Sequence, residues 1–452
     1  MLSLIRWFFE SLVRLYHPKI ELEGAERIPS DAPLIFVANH PNGLLDPMIV
    51  RLSTGRHARF LAKSTLFNNP FFRMLMNAFE VVPVYRAQDR AVGGGDMSQN
   101  ERTFAICRET LGRRGGIAMF PEGVSHSDPH LKPLKTGAAR IALGAEKEHG
   151  FKLGVVIVPM GLYYTSKSTF RSSVLARVGE PLTLDVFAEK FSVDERATVE
   201  ELTEVIRDRL EDVVLQAETK ELLDGIARVA LWTAENEEVR DDLGEQHARA
   251  LELLDAYREF QRRDPAKLEQ ITQHAQQYMN TLKSLGVSDP WAVEVGRVGL
   301  SAVVRTTSKL VLLLPFALVG ALLGWLPYRL TGIIAGHYSK GDEDVLGTVK
   351  LLGGLLFIPL AWMLEAAVVA YFFGWVFGAL IPVIGAACGY VSLRFDELLS
   401  EAIEALRHVW IRVNDPKTAL SLIERRRALA HEVAAALHPA GPASIRGAAL
   451  PG

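Results

Sequence analysis

The sequence predicts an α/β domain, followed by a charged helical region and then by transmembrane helices. Short apolar runs alternate with amphipathic stretches and Gly/Pro turns between about residues 20 and 190, which is typical of strands joined by helices. From Thr198 to about Leu285 the composition changes to Glu, Arg, Leu and Ala, which favours amphipathic helices. Two long apolar runs follow, at 310–325 and 351–393. These three observations define the predicted fold class.

Residues 1–20 predict an amphipathic helix. Apolar residues repeat at helical spacing, while Arg6, Glu10 and Arg14 recur every four residues on another face. Those charges exclude a secretory signal, whose apolar centre is unbroken. We expect this helix to lie on a membrane surface with Trp7 at headgroup level, and an ordinary helix packed on the domain is the alternative.

Strand-forming runs lie within residues 21–215, which are assigned to the α/β domain. Residues 216–300 are assigned to the charged helical region, whose role the sequence leaves open. The runs are LIFVAN, FEVVPVY, GIAMF, VVIVPMGLYY and VLARVG. Pro159 falls inside VVIVPMGLYY, so we expect it to interrupt that strand.

Residues 301–395 are predicted to cross a membrane as two or three helices. A spanning helix needs about 20 apolar residues, so the run at 351–393 is long enough for a hairpin of two. Two buried core helices are the alternative, but core helices seldom stay apolar on every face. Glu365 is the one charged residue in that run, and it either has a function or lies near an interface, is protonated or pairs with another helix. Residues 396–452 are predicted to form a helical tail with a frayed end.

The composition excludes several classes of protein. Among 452 residues, 50 Lys and Arg are balanced by 53 Asp and Glu, so general nucleic-acid binding is not expected. A hydrophobic fraction of 49% excludes a disordered chain. Two cysteines, Cys107 and Cys388, exclude a disulfide scaffold, and no Cys/His spacing indicates a metal site.

Two motifs follow strand-like runs and carry groups that can do chemistry. FVANHPNGLLDP delivers His40 at a strand end, and the turn after it can bring Asp46 back to the imidazole. A carboxylate on the far ring nitrogen would fix the tautomer of a histidine base, although this pair alone also fits a structural histidine. FPEGVSH places Glu122 and Gly123 in a turn at another strand end, where α/β domains gather ligands. Glu122 could hold a substrate hydroxyl or orient a cation.

Cations near these motifs could form a phosphate site. Lys63, Arg86, Lys132 and Lys135 would bind a phosphate monoester if they converge, with Arg86 giving bidentate contact. Taken singly, each is an ordinary surface charge.

The order of these motifs resembles the glycerolipid acyltransferase superfamily, which contains glycerol-3-phosphate and lysophosphatidic acid acyltransferases. The four blocks of that family have counterparts here in His40/Asp46, Arg86, FPEG at 120–123 and Val158-Pro159. The usual histidine-to-aspartate gap is four residues, whereas five intervene here. The form HxNxxxD, with Ser125-His126 after FPEG, resembles the branch that holds the fungal-type glycerol-3-phosphate/dihydroxyacetone-phosphate acyltransferases. The common form FPEGTRS has Arg at the position of Ser125.

The resemblance implies an acyltransferase domain with a mixed sheet flanked by helices. It implies acyl transfer from a thioester, acyl-CoA or acyl-carrier protein, to a glycerol phosphate, either glycerol-3-phosphate or 1-acylglycerol-3-phosphate, for phospholipid biosynthesis. His40 would take the hydroxyl proton and Asp46 would orient it, while Glu122 and Gly123 would position the glycerol. The phosphate would rest on Arg86, Lys63 and Lys135. No metal or other cofactor is expected.

Two alternatives stay open, namely an acyltransferase for another lysophospholipid and a non-catalytic membrane scaffold with a relict domain. A thioesterase is disfavoured because no serine lies in a nucleophile elbow. We expect membrane lipid as a partner and a domain on the cytoplasmic side, and the sequence does not indicate an oligomeric state.

Overall fold

The computed structural model describes residues 2–86, 89, 97–234, 241–287, 300–339 and 342–437. The chain divides into two compact units. The first unit holds Met1–Leu223 together with Ala335–Leu351, and the second holds Asp224–Ile334 and Leu352–Gly452.

One mixed sheet organises the first unit. Its strands are β1 (Ile20–Glu23), β2 (Leu34–Ala38), β3 (Ala58–Lys63), β4 (Val82–Val84), β5 (Gly116–Met119), β6 (Val156–Tyr164), β7 (Val174–Val178) and β8 (Leu182–Thr183). Their order is β1-β7-β6-β2-β5-β3-β4, with β8 also beside β6. Neighbours from β6 to β4 pair parallel, as do β1 and β7, while β7 and β8 run antiparallel to β6.

Along the chain, helices precede, connect and follow the strands of this sheet. They are α1 (Leu2–Tyr16), α2 (Leu45–Thr54), α3 (Pro70–Ala78), α4 (Asn100–Gly112), α5 (Gly137–Glu148), α6 (Ala188–Val193) and α7 (Glu195–Glu211). Every residue of β2 is buried, as expected for a central parallel strand. Ile35 and Val37 of β2 belong to a core cluster that includes Leu111 of α4, Ile141 of α5 and Leu202 of α7.

Strand β6 is continuous, so the expected interruption at Pro159 is wrong. Residues 156–157 pair with β8 and residues 160–164 pair with β7, which leaves Pro159 between these two partners. The Pro159 carbonyl faces the side of β7 and β8, where it accepts from Gly179 N. The N–H that proline lacks would point to the same side, between the two partner strands, so no strand-pairing hydrogen bond is lost.

Helix α1 combines the two alternatives for the N-terminus. Phe9, Val13 and Tyr16 are buried, so one face packs on the domain. Leu4 and Trp7 are 65% and 63% exposed, so another apolar face has no cover among the described residues. Attachment of that face to a membrane stays a prediction.

The second unit is helical. The helices after the sheet are α8 (Lys220–Trp232), α9 (Leu243–Arg263), α10 (Pro265–Leu285), α11 (Leu300–Ser339), α12 (Glu343–Phe373), α13 (Trp375–Asn414) and α14 (Pro416–Leu437). Three of them, α11 to α13, are long and apolar enough to cross a membrane. Gly374, with φ 98°, forms the break between α12 and α13. The predicted fold class, an α/β domain and then a helical region with long apolar C-terminal helices, is confirmed.

Small residues allow close packing between these apolar helices. A Cβ on Gly320 of α11 would overlap the carbonyl oxygen of Cys388 in α13, and one on Gly385 would lie 2.7 Å from the Trp362 indole of α12. Glu365 has a buried Oε2 with no hydrogen bond to a described residue. The predicted boundary between residues 395 and 396 lies inside α13, because the helix continues from its apolar part into the charged sequence.

Candidate active site

Four adjacent strands deliver the predicted site residues to one edge of the sheet. The strands β2, β5, β3 and β4 are neighbours and parallel, so their carboxyl ends lie together. His40 follows β2, Glu122 follows β5, Lys63 ends β3 and Arg86 follows β4. This edge is where open α/β sheets bind ligands.

His40 and Asp46 form a hydrogen-bonded pair. The turn at 41–44 ends in α2, whose first turn holds Asp46. The distance from His40 Nδ1 to Asp46 Oδ2 is 2.8 Å; the imidazole is 17% exposed, and the carboxylate is fully buried. No described residue hydrogen-bonds to His40 Nε2. An ionised Asp46 only accepts, so Nδ1 carries the proton and Nε2 presents a lone pair.

Two further donors hold the Asp46 carboxylate. Asn42 N donates to Oδ2 at 2.7 Å, and the Tyr164 hydroxyl donates to Oδ1 at 2.5 Å. Burial, and then the charge of Asp46, raise the pKa of Tyr164 well above its usual value, so the phenol stays a neutral donor. The helix N-terminus also favours a negative charge at this position.

The His40 ring is fixed on its face as well as at its edge. Phe120 stacks on it with 4.0 Å between ring centroids and an angle of 8° between the planes. The backbone of His40 is held by the loop at residues 120–126, the FPEG loop. The His40 N–H donates to Glu122 Oε1 at 3.1 Å, and the His40 carbonyl accepts from His126 N at 3.1 Å. The FPEG loop therefore supports the base directly.

The Glu122 carboxylate is occupied by groups of the protein itself. Besides His40 N, it accepts from Lys132 N at 2.8 Å and contacts His126 Nε2. Asp128 N donates to the other ring nitrogen of His126 at 3.2 Å, so both ring nitrogens of His126 have partners within this loop. Glu122 is 3% exposed. These contacts tie Glu122 to the two loops, and a direct contact of Glu122 with the glycerol stays a prediction.

Arg86 reaches the same loop and is oriented by a residue that the sequence analysis did not single out. Its Nε and Nη2 donate to the two carboxylate oxygens of Asp89 at 2.7 and 2.9 Å, and its Nη1 donates to the Gly123 carbonyl at 2.7 Å. Pairing with Arg86 lowers the pKa of Asp89, and Lys63 contributes to that effect. A guanidinium has five N–H groups, so two have no acceptor among the described residues.

The other predicted cations lie nearby but differ in their surroundings. Lys63 and Lys135 are exposed at the site edge, and Lys135 Cγ would lie 3.6 Å from a Cβ placed on Gly123. Gly123 itself has φ 75°, a conformation that favours glycine. Lys132 is bound to Asp128 at 3.2 Å and is directed to that carboxylate. The structure thus brings Lys63, Arg86, Gly123 and Lys135 to one region.

Sequence reasoning missed the residues that support the pair. Tyr164 lies more than a hundred residues from Asp46, and no spacing rule links them. Asp89 had a local signal, since it lies three residues after Arg86. No group of three or more His, Cys, Asp or Glu that could hold a metal occurs among the described residues.

Comparisons with known proteins find matches to both the α/β part and the helical part of the chain. A family model described as Acyltransferase matches residues 19–163, and one described as Glycerol-3-phosphate acyltransferase 2 C-terminal domain matches residues 231–445. Glycerol-3-phosphate O-acyltransferase 1 of Saccharomyces cerevisiae is 23% identical over 95% of this chain and 70% of its own length. The chloroplastic 1-acyl-sn-glycerol-3-phosphate acyltransferase LPAT1 of Arabidopsis thaliana is 32% identical over 36% of this chain and 40% of its own. The crystal structure of PlsC from Thermotoga maritima, an LPA acyltransferase, gives a TM-score of 0.31 at 23% identity, over 46% of this chain and 79% of that one.

The matching family models define an acyltransferase, and its three long apolar helices indicate that it associates with a membrane. The chain belongs to the glycerolipid acyltransferase superfamily, in the branch that contains the yeast glycerol-3-phosphate acyltransferases. The family and the enzyme class predicted from the motifs are both confirmed.

Proposed function

We propose that the protein transfers a fatty acyl group from a thioester to the hydroxyl of glycerol-3-phosphate. The His40–Asp46 pair beside Arg86 is the observation that carries this proposal, because it sets a base next to an anion-binding group. The match of residues 231–445 to a glycerol-3-phosphate acyltransferase model supports this acceptor.

His40 acts as the general base. Its Nε2 takes the proton of the acceptor hydroxyl as that oxygen attacks the thioester carbonyl, and a C–O bond forms. The tetrahedral intermediate then collapses with loss of the C–S bond, and the imidazolium returns the proton to the leaving thiolate. Asp46 stabilises the imidazolium and keeps Nδ1 protonated throughout. A positioned base of this kind contributes about 10²- to 10⁴-fold in rate.

Arg86 binds the acceptor phosphate with the two N–H groups that have no acceptor among the described residues. Asp89 holds the guanidinium in a fixed orientation, which reduces the entropy lost when the phosphate binds. Lys63 and Lys135 add positive charge from the exposed rim of the site. Glu122 and Gly123 act by shaping the loop that meets His40 and Arg86.

The proposal extends to the acyl donor and to the location of the enzyme. Acyl-CoA or acyl-carrier protein supplies the thioester, so the reaction needs no metal or other cofactor. The three long apolar helices attach the enzyme to membrane lipid, and we place the domain on the cytoplasmic side, where those donors are made. Lysophosphatidic acid is the second candidate acceptor, since the 162 residues matched by the Arabidopsis relative are 32% identical.

An acyl-transfer assay on the full chain in lipid nanodiscs tests the proposal. Labelled acyl-CoA is offered with glycerol-3-phosphate, lysophosphatidic acid or lysophosphatidylcholine in parallel. We expect glycerol-3-phosphate to give the highest kcat/KM and lysophosphatidylcholine to give none above background. Transfer to lysophosphatidylcholine alone would contradict the proposal and favour the alternative of another lysophospholipid acyltransferase.

A further inference from the structure

The first turns of α12 contact both loops of the active site. Residues 335–351 belong to the first unit, and α12 begins there at Glu343 before it continues as a candidate membrane span. We call residues 39–44 the base loop and residues 120–126 the FPEG loop. The base loop carries His40, and the FPEG loop carries Phe120 and Glu122.

Thr348 binds the base loop through its hydroxyl. Leu44 N donates to Thr348 Oγ1 at 3.2 Å. Gly43 lies against the same helix, because a Cβ there would come within 3.1 Å of Thr348 Oγ1 and 3.2 Å of the Asp344 carbonyl oxygen. Leu44 immediately precedes α2, whose first turn holds Asp46, so this bond fixes the start of the helix that presents the carboxylate.

Asp344 binds the FPEG loop. Ser125 Oγ donates to Asp344 Oδ2 at 2.6 Å, and Asp344 is 7% exposed. The related common motif has Arg at position 125, whereas this chain has a short hydroxyl that fits a carboxylate of α12. Ser125, where this chain departs from the common motif, is therefore the residue that contacts Asp344.

Other contacts keep these turns in place. Lys350 Nζ donates to the Ser168 carbonyl at 2.6 Å, and Lys220 pairs with Glu343 at 2.6 Å. Gly347 approaches Asn42 so closely that a Cβ would lie 3.0 Å from Asn42 Oδ1. Asn42 is buried and in turn donates its N–H to Asp46, so the helix supports the catalytic carboxylate through this residue.

We propose that Thr348 and Asp344 are positioning residues of the active site, so that the start of α12 sets the geometry of the His40–Asp46 pair and of the FPEG loop. The inference rests on the proposed function. It assigns to catalysis a segment that lies 304 residues from Leu44 and outside the region matched by the Acyltransferase model. These residues act through the loops and do not touch the reacting atoms.

Thr348→Val and Thr348→Ser test the Thr348 contact in the full chain in nanodiscs. Valine keeps the shape but cannot accept the Leu44 N–H, whereas serine can. We expect Thr348→Val to lower kcat about tenfold with KM for glycerol-3-phosphate within about twofold, because misplaced catalytic groups slow the reacting step. Thr348→Ser retains most of the wild-type kcat. Val345→Thr, on the exposed side of the same helix, is the matched control.

The outcomes separate this inference from the proposed function. If wild-type protein transfers acyl groups and Thr348→Val matches it, or if Thr348→Ser is as impaired as Thr348→Val, the positioning role is wrong while the function stands. If the wild-type protein transfers none to either glycerol phosphate, both are wrong.

Variants of the Ser125–Asp344 pair test the positioning role independently. This test remains available if Thr348→Val does not fold. Ser125→Ala and Asp344→Ala should each lower kcat, and the double variant should be no slower than the slower single variant, because the two changes remove one contact. Asp344→Asn keeps an acceptor and should restore most of kcat, and Asp342→Ala, at an exposed position two residues earlier, should have little effect. Losses that multiply in the double variant would contradict the proposal.

Discussion

His40, the proposed base, is held in place by contacts at its ring and at its backbone. His40 is bound at Nδ1 by Asp46, stacked by Phe120 and held at its backbone by Glu122. Asp46 is buried with three hydrogen-bond donors directed at its two oxygens. A buried carboxylate is stable only when its oxygens are satisfied in this way, so the donors and the pair form one unit.

Asp89 provides a pH-dependent test at the scale of a single residue. Pairing with Arg86 lowers its pKa, so the charged form stabilises the fold at pH values above the ordinary range of an aspartate. That contribution is lost as the pH falls through the lowered pKa. We expect Asp89→Asn to reduce the melting temperature at pH 7, and the difference from wild type to shrink at pH 3.

The measurement is thermal unfolding of the full chain in detergent at both pH values. Asp208→Asn, on the exposed face of α7, is the matched control and should change little. A difference between Asp89→Asn and wild type that is the same at both pH values would show that the carboxylate charge does not contribute.

Four of the site residues that the sequence predicted, Lys63 among them, lie at or just after a strand end. His40, Arg86 and Glu122 could be found because strand-like runs and turn residues are local signals. Tyr164 and Thr348 could not be found, since their contacts to the site depend on tertiary packing across 118 and 304 residues. Glu122 was found as a site residue, but its contacts within the protein could not be read from a four-residue motif.

At the scale of elements, the sheet and the apolar helices follow different packing rules. Parallel strands gather their carboxyl ends and so build the site, whereas the apolar helices approach one another at glycines. Without a strong hydrophobic force between helices in lipid, close backbone contact at small residues stabilises their association. Gly320 of α11 makes such a contact with α13.

Gly320→Ala and Gly324→Ala compare a packed glycine with an open one on the same helix. A Cβ at Gly320 would overlap the Cys388 carbonyl oxygen, while a Cβ at Gly324 would have no described atom within 4 Å. In an exposed helix, replacing glycine by alanine stabilises by about 0.5–1 kcal/mol. We expect Gly320→Ala to lower the melting temperature in detergent and Gly324→Ala to leave it equal or higher. Equal effects of the two changes would show that α11 and α13 do not meet at Gly320.

The sequence indicates that apolar helices are present, but it does not show where each of them ends. The absence of charge over long runs is a strong signal, and it predicted two or three spans where the structure has three candidates. Helix α13, however, continues to Asn414, well beyond its apolar part. Hydropathy changes where the apolar part ends, but helix propensity does not, so composition alone does not show where this helix ends. The predicted boundary of the membrane region stays a prediction.

At the scale of the whole molecule, the chain combines an α/β catalytic unit with a helical unit that carries most of the surplus hydrophobicity. The proposed acceptor, glycerol-3-phosphate, is soluble in water, whereas its acylated product belongs in lipid. An enzyme attached to a membrane could bind the acceptor from water and release the product into lipid.

Labelling with a membrane-impermeant maleimide tests the cytoplasmic placement. Ser192→Cys puts a thiol on an exposed part of the catalytic unit. Burial raises the pKa of Cys107 to about 12, so that native thiol stays protonated and gives little background, and wild-type protein is the control for it and for Cys388. We expect labelling of Ser192→Cys in permeabilised cells and none in intact cells. Labelling in intact cells would place the domain outside.

The rate of acyl transfer by His40→Ala tests the central claim most directly. Purified full-length protein in nanodiscs is given labelled acyl-CoA and glycerol-3-phosphate, and His57→Ala, a change at an exposed histidine just before β3, serves as the control. The account predicts that His40→Ala lowers kcat by about 10²-fold or more, as the loss of a general base requires, while His57→Ala stays within about twofold of wild type. A folded His40→Ala protein that transfers acyl groups at the wild-type rate would contradict it.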